Sequence, residues 1–181
     1  MGLALARTMQ FWADLIRLRA EIKEFPYLLV SATGLVVLFA FMYFGGLWSY
    51  REIEFSIVGG PLSFLIPIIL MLPLLALFLA ISVIAPPSVS SAAIETAYEN
   101  VSRPFFACFA VNFIAAAIPD YLPGVLWHPN QIFAIFLAVL SLALSLWSNR
   151  YLHLVGHAIF WLIAIASYVF TFFQWINQAG A

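Results

Sequence analysis

The chain has 181 residues, of which 65% are hydrophobic and 8% charged, with a formal net charge of −1. Soluble domains average roughly 45–50% apolar and about 25% charged residues, so 7 Lys and Arg plus 8 Asp and Glu are too few to coat a water-soluble globule. A soluble enzyme, a nucleic-acid binder and a disordered chain are excluded together, and the single cysteine, Cys108, excludes an internal disulfide.

What remains is an all-α polytopic transmembrane helical bundle with an N-terminal amphipathic interfacial helix. Residues 1–25 form the cytoplasmic-side helix. Over residues 4–25, Phe11, Leu15, Leu18, Ile22 and Phe25 recur at spacings of 4, 3, 4 and 3 on one face, while Arg7, Gln10, Asp14, Arg17, Glu21 and Glu24 line the other. Such a helix either lies on the inner leaflet or docks a cytoplasmic partner or a second copy through Phe11, Leu15, Arg17, Leu18 and Ile22. Pro26 ends it.

Residues 26–181 read as a single transmembrane domain. A span needs about 20 apolar residues, and a charge at mid-bilayer costs at least ~2.5–3.5 kcal/mol. Charges sit at 7–24, 51–54, 95–103, 120 and 150, which leaves spans near 26–47, 61–84, 104–118, 131–147 and 152–175. The third has only 15 residues from Pro104 to Ile118, with Asn112 in its middle, so the count is five, or four if this segment does not cross. With the N-terminus cytoplasmic, Arg7, Arg17, Arg19, Lys23, Arg103 and Arg150 fall inside and Arg51 alone outside, which orients the chain in a cell inner membrane.

Between the first two spans, residues 45–60 read as an external loop. There Ile53, Phe55 and Ile57 alternate with Glu52, Glu54 and Ser56, the period of a strand. The second span carries Pro67 and Pro73, each expected to free a carbonyl and together to form a candidate hinge. Residues 88–103 repeat the surface-helix pattern, with Ile94, Tyr98, Val101 and Phe105 opposite Glu95, Glu99 and Arg103, before Pro104 opens the third span. Asp120 stands between Pro119 and Pro123 beyond that span, and an acid at such a place is a functional candidate.

The last two spans carry seams of small or polar residues. Gln131, Ala134, Ala138, Ser141, Ser145 and Ser148 follow spacings of 3 and 4, as do His153, His157, Phe160, Ala164, Ser167, Thr171, Gln174 and Gln178. The short link at 149–151 makes the two helices antiparallel neighbours. Their seams either lock a tight hairpin or an oligomer, or line a path through Ser141, Ser145, Ser148, His153, His157, Ser167, Thr171 and Gln174. His153 and His157 lie one turn apart, a spacing that suits one metal ion, yet no Asp, Glu or Cys is near in sequence to complete a site. No metal and no cofactor are expected. No catalytic set is legible either, neither a nucleophile with its base nor a carboxylate pair inside a span.

The sequence therefore predicts a non-enzymatic multipass inner-membrane subunit that oligomerises and anchors or senses for a cytoplasmic protein partner, as in prokaryotic defence or signalling complexes. A small channel or transporter with a Ser/Thr/Gln-lined path is the alternative. The expected partners are the lipid bilayer, further copies of the chain and a cytoplasmic protein, not nucleic acid.

Overall fold

A computed structural model describes the backbone of residues 2–21, 26–57, 65–84, 91–117 and 129–179, and the side chains of 6–21, 26–43, 71–84, 97–117 and 132–169. Apart from residues 18–21, 26 and 147–149, the described residues are helical: α1 (Gly2–Arg17), α2 (Tyr27–Ile57), α3 (Leu65–Ile84), α4 (Ser91–Ala117), α5 (Pro129–Leu146) and α6 (Arg150–Ala179). Neighbour contacts run α2–α3–α4–α5–α6 and back to α2, so these five close a ring, with α4 packed most extensively, on α3 and α5. Phenylalanines fill the interior. Phe39 meets Phe109 and Phe113 edge-on at 5.6 and 5.1 Å between centroids, and Phe160 stacks on Phe113 at 5.9 Å. Phe105, Phe106, Phe109 and Phe160 are wholly buried there.

Among the described residues, two helical stretches, 97–117 and 150–169, are long and apolar enough to cross a membrane. The described parts of three other helices, 27–43, 71–84 and 132–146, are apolar but shorter, so among the described residues the five-span expectation is met at two positions. These two stretches suggest membrane association.

Several local expectations are corrected. Residues 53–57 are not a strand: α2 continues through Ile57. A lone strand would leave its amides and carbonyls unpaired, whereas a helix pairs them internally. The surface helix at 88–103 and the span opening at Pro104 are one element, α4, with Pro104 inside it. A proline normally breaks a helix interior. Here Ser102, Phe105, Phe106 and Phe109 bury one continuous face across it, and packing overrides the lost hydrogen bond. Pro67 falls in the first turn of α3, where amides have no intrahelical acceptor, so only Pro73 interrupts the ladder. α5 and α6 approach closely at Leu144 and Gly156, as their seams imply, although α5 packs mainly on α4 and α6 mainly on α2.

α1 ends at Arg17, shorter than the expected 4–25 helix. Phe11 and Leu15 are buried in the chain's own core, with Trp12 and Leu18 packed against it. The face expected to await a partner is thus taken up by the bundle. Arg17 is exposed, 3.8 Å from Asp14, and Ile22 lies outside the described residues.

The starts of α2 and α6 share one end of the bundle. Arg150 donates through Nε to the Tyr27 hydroxyl at 3.1 Å and stacks over its ring at 5.4 Å. Asn149 caps α6, its Oδ1 accepting from the amides of Tyr151 at 2.9 Å and Leu152 at 3.4 Å.

Candidate functional site: a buried histidine–tyrosine cluster

One to two turns in from that end, polar side chains from three helices converge. His153 and His157 are each 2% exposed on α6. Their i,i+4 spacing turns both rings to the same side, toward Tyr98 on α4. The Tyr98 oxygen lies 2.8 Å from His153 Nδ1 and 2.9 Å from His157 Nε2. The outer nitrogens have partners too. His153 Nε2 is 2.8 Å from the Trp147 carbonyl, and His157 Nδ1 is 2.8 Å from Ser31 Oγ on α2. Ser31 in turn accepts from Trp161 Nε1 at 2.9 Å. Phe106 seals the apolar side, with its centroid 5.4 Å from His153 and 5.6 Å from His157.

The local sequence explains each placement. α5 ends at Leu146, and the carbonyl after it has no helical acceptor role left to fill, so it is available to His153. Gly34 lets the Trp161 ring lie against α2: a Cβ there would come 3.0 Å from Trp161 Cζ2. The indole N–H can then reach Ser31, one turn earlier on the same helix.

With both imidazoles taken as neutral, donor and acceptor bookkeeping assigns each proton. A carbonyl only accepts and an indole N–H only donates. His153 must therefore donate from Nε2 to Trp147, and as a neutral ring it accepts the Tyr98 hydroxyl proton on Nδ1. The Tyr98 oxygen accepts from His157 Nε2–H. His157 Nδ1 then accepts from the Ser31 hydroxyl, which accepts from Trp161. Five contacts use five protons, with both imidazoles neutral and protonated on Nε2. A proton relay needs a hydrogen-bond chain that can reverse. This one cannot, because its two end groups each have a single role.

The remaining candidate residues are dispersed. Ser141 is buried, but its hydroxyl donates to the Leu137 carbonyl at 2.7 Å within its own helix, and Ser145 likewise bonds Leu142 at 2.8 Å. Hydroxyls satisfied in this way do not bridge helices. Ser148 is exposed and Ser167 is partly buried. Pro73 is buried in α3. Thr171 and Gln174 lie on α6 with side chains outside the described set, as does the Pro67 ring on α3, and Asp120 is outside it altogether. Asn112 is buried, and its Oδ1 has no hydrogen-bond partner.

The histidine pair was legible in the sequence, whereas Tyr98, Ser31 and Trp161 were missed. A serine at 31 in an apolar stretch and a tryptophan at 161 in the middle of an apolar helix are the available signals. The sequence places Tyr98 on the apolar stripe of a surface helix, with no sign of a polar partner. Among the described residues no three His, Cys, Asp or Glu side chains come together, so the third donor beside the histidines is a tyrosine. No known protein family, curated protein or solved structure matches this chain.

Proposed function

We propose that this chain is a non-enzymatic multipass subunit of the cytoplasmic membrane, N-terminus inside, that works by assembly with a cytoplasmic partner. The observation that carries the reading is the distribution of exposed side chains. Ile132, Phe133, Phe136, Val139 and Leu142 on α5, Leu162, Ile165 and Val169 on α6, and Met71, Leu75 and Leu79 on α3 all point outward. Lipid tolerates such a surface; water does not. Among the described residues of the five ring helices and the α5–α6 link, the exposed charged and amide side chains Glu99, Asn100, Arg103, Asn149 and Arg150 lie toward the end where α2 and α6 begin. That clustering, with the basic bias of the same segments, supports placing this end in the cytoplasm. The five helices of the ring are then the five spans.

The small-residue seams do not serve assembly in this reading, because Ala138, Ser141 and Ala164 are buried inside the single chain. The surface left for a partner is the outer side of α1. There Ala6, Met9, Ala13 and Ile16 are exposed at spacings of 3, 4 and 3, opposite the buried Phe11 and Leu15.

Two experiments test this. In a Cys108→Ser background, a cysteine placed at Arg17 is expected to react with a membrane-impermeant maleimide only after permeabilisation, and one at Arg51 in intact cells. Equal labelling of both would overturn the topology. The complex released in mild detergent is expected to exceed the mass of one chain and to lose its partner in Ile16→Asp. A bare monomer in both proteins would end the assembly reading.

A further inference from the structure

We infer that the Tyr98–His153–His157 cluster is a binding site for a divalent transition-metal ion of the imidazole-preferring class. Three donor atoms from two helices, Tyr98 Oη, His153 Nδ1 and His157 Nε2, meet with oxygen–nitrogen separations of 2.8 and 2.9 Å. Ligand atoms held about 2.0–2.1 Å from an ion at angles near 90–110° are about 2.9–3.4 Å apart. Each oxygen–nitrogen pair thus needs to open by only a few tenths of an ångström to admit one.

The surroundings match what a metal-bound histidine requires. A ligating imidazole almost always gives its other N–H to a carbonyl, carboxylate or water, which fixes ring and tautomer. His153 already gives Nε2–H to the Trp147 carbonyl, leaving Nδ1 as its lone-pair nitrogen. His157 has Ser31 at its outer nitrogen. No described Cys, Asp or Glu joins the pair, so the donor set is two imidazoles and one phenolate. That set suits Cu²⁺ and Zn²⁺ rather than Mg²⁺ or Ca²⁺.

The proton balance of binding is definite. The ion takes the place of the Tyr98 hydroxyl proton, which leaves to solvent. His157 moves its proton from Nε2 to Nδ1 and donates it to Ser31 Oγ. The Ser31 hydroxyl turns to the carbonyl one turn back in α2, a bond helical serines commonly make. Each ion therefore displaces one proton, and nothing is oxidised or reduced.

The test uses the full chain in detergent, carrying no polyhistidine tag, titrated with Cu²⁺ and separately with Zn²⁺. One ion per chain is expected, with a visible tyrosinate-to-copper charge-transfer band and one proton released per ion, read by a pH indicator. Tyr98→Phe is expected to lose the band and the proton release, and His153→Gln to weaken binding at least tenfold. His128→Ala, which removes the third histidine, is expected to change neither. Circular dichroism and gel filtration of each variant show that it is folded. Failure of the wild-type protein to bind either ion, or a band that survives in Tyr98→Phe, overturns the assignment.

Discussion

The contact between α5 and α6 gives the sharpest quantitative prediction. A Cβ added at Gly156 would lie 2.5 Å from Leu144 Cδ1, 2.9 Å from Cδ2 and 3.2 Å from Cγ. Ordinary carbon contacts are about 3.5–4.0 Å, so the leucine must retreat by about an ångström. It has little room, since Leu144 is 0% exposed. Overpacking of this kind costs about 1–3 kcal/mol, against which alanine gains up to ~1 kcal/mol over glycine in a helix interior. Gly156→Ala should therefore destabilise by roughly 0–2 kcal/mol. In a Leu144→Ala background the clash is gone and only the helix gain remains, so the same substitution should stabilise by up to ~1 kcal/mol. The double-mutant cycle should show a coupling of about 1–3 kcal/mol. The assay is unfolding in mixed micelles titrated with SDS and followed by far-ultraviolet circular dichroism. Identical effects of Gly156→Ala in the two backgrounds would refute the close approach.

Four further predictions concern the buried polar groups. Tyr98→Phe strips His153 Nδ1 of its donor and His157 Nε2–H of its acceptor, and should destabilise by about 1–3 kcal/mol in the same assay; an unchanged midpoint would remove the hydroxyl from the network. ¹⁵N spectra of histidine-labelled, metal-free protein should show both rings neutral with the proton on Nε2, and a proton on Nδ1 of either would reverse the assigned direction. Asn112→Leu replaces an amide whose buried oxygen has no partner, so it should stabilise by about 1 kcal/mol; a loss of stability would mean that the oxygen is satisfied. Trp12→Phe removes the bond from Nε1 to Thr33 Oγ1 at 2.8 Å, worth ~1 kcal/mol, and should speed proteolysis within α1.

Helical class and apolar character were legible because composition and charge exclusion are properties of whole segments. The strand at 53–57 failed for a different reason. Period-2 patterning in five residues is weak evidence beside the requirement that every backbone group be paired, and α2 meets that requirement by continuing. Pro104 misled in the same manner: its local signal is a break, but Phe105, Phe106 and Phe109 bury a face that spans it. The docking stripe on α1 was recognised as apolar, yet amphipathicity does not say whether a face meets lipid, a partner or its own chain. The candidate site was half visible. An i,i+4 histidine pair is a sequence feature, whereas Tyr98 lies 55 residues from His153 and meets it only through the ring of helices.

The one-way ordering of protons from Trp161 to Trp147 also selects helix register. In the proposed bilayer setting, apolar side chains exchange one greasy contact for another, so sliding α6 by a turn against α2 and α4 forfeits little dispersion energy. Polar matching is far less forgiving. A slip of four residues would put Trp161 where His157 stands and His157 where His153 stands. The indole has no lone-pair nitrogen to receive the Ser31 hydroxyl. Ser31, Tyr98 and the two histidines thus read like a key cut for a single depth of insertion, which apolar packing alone would leave undecided.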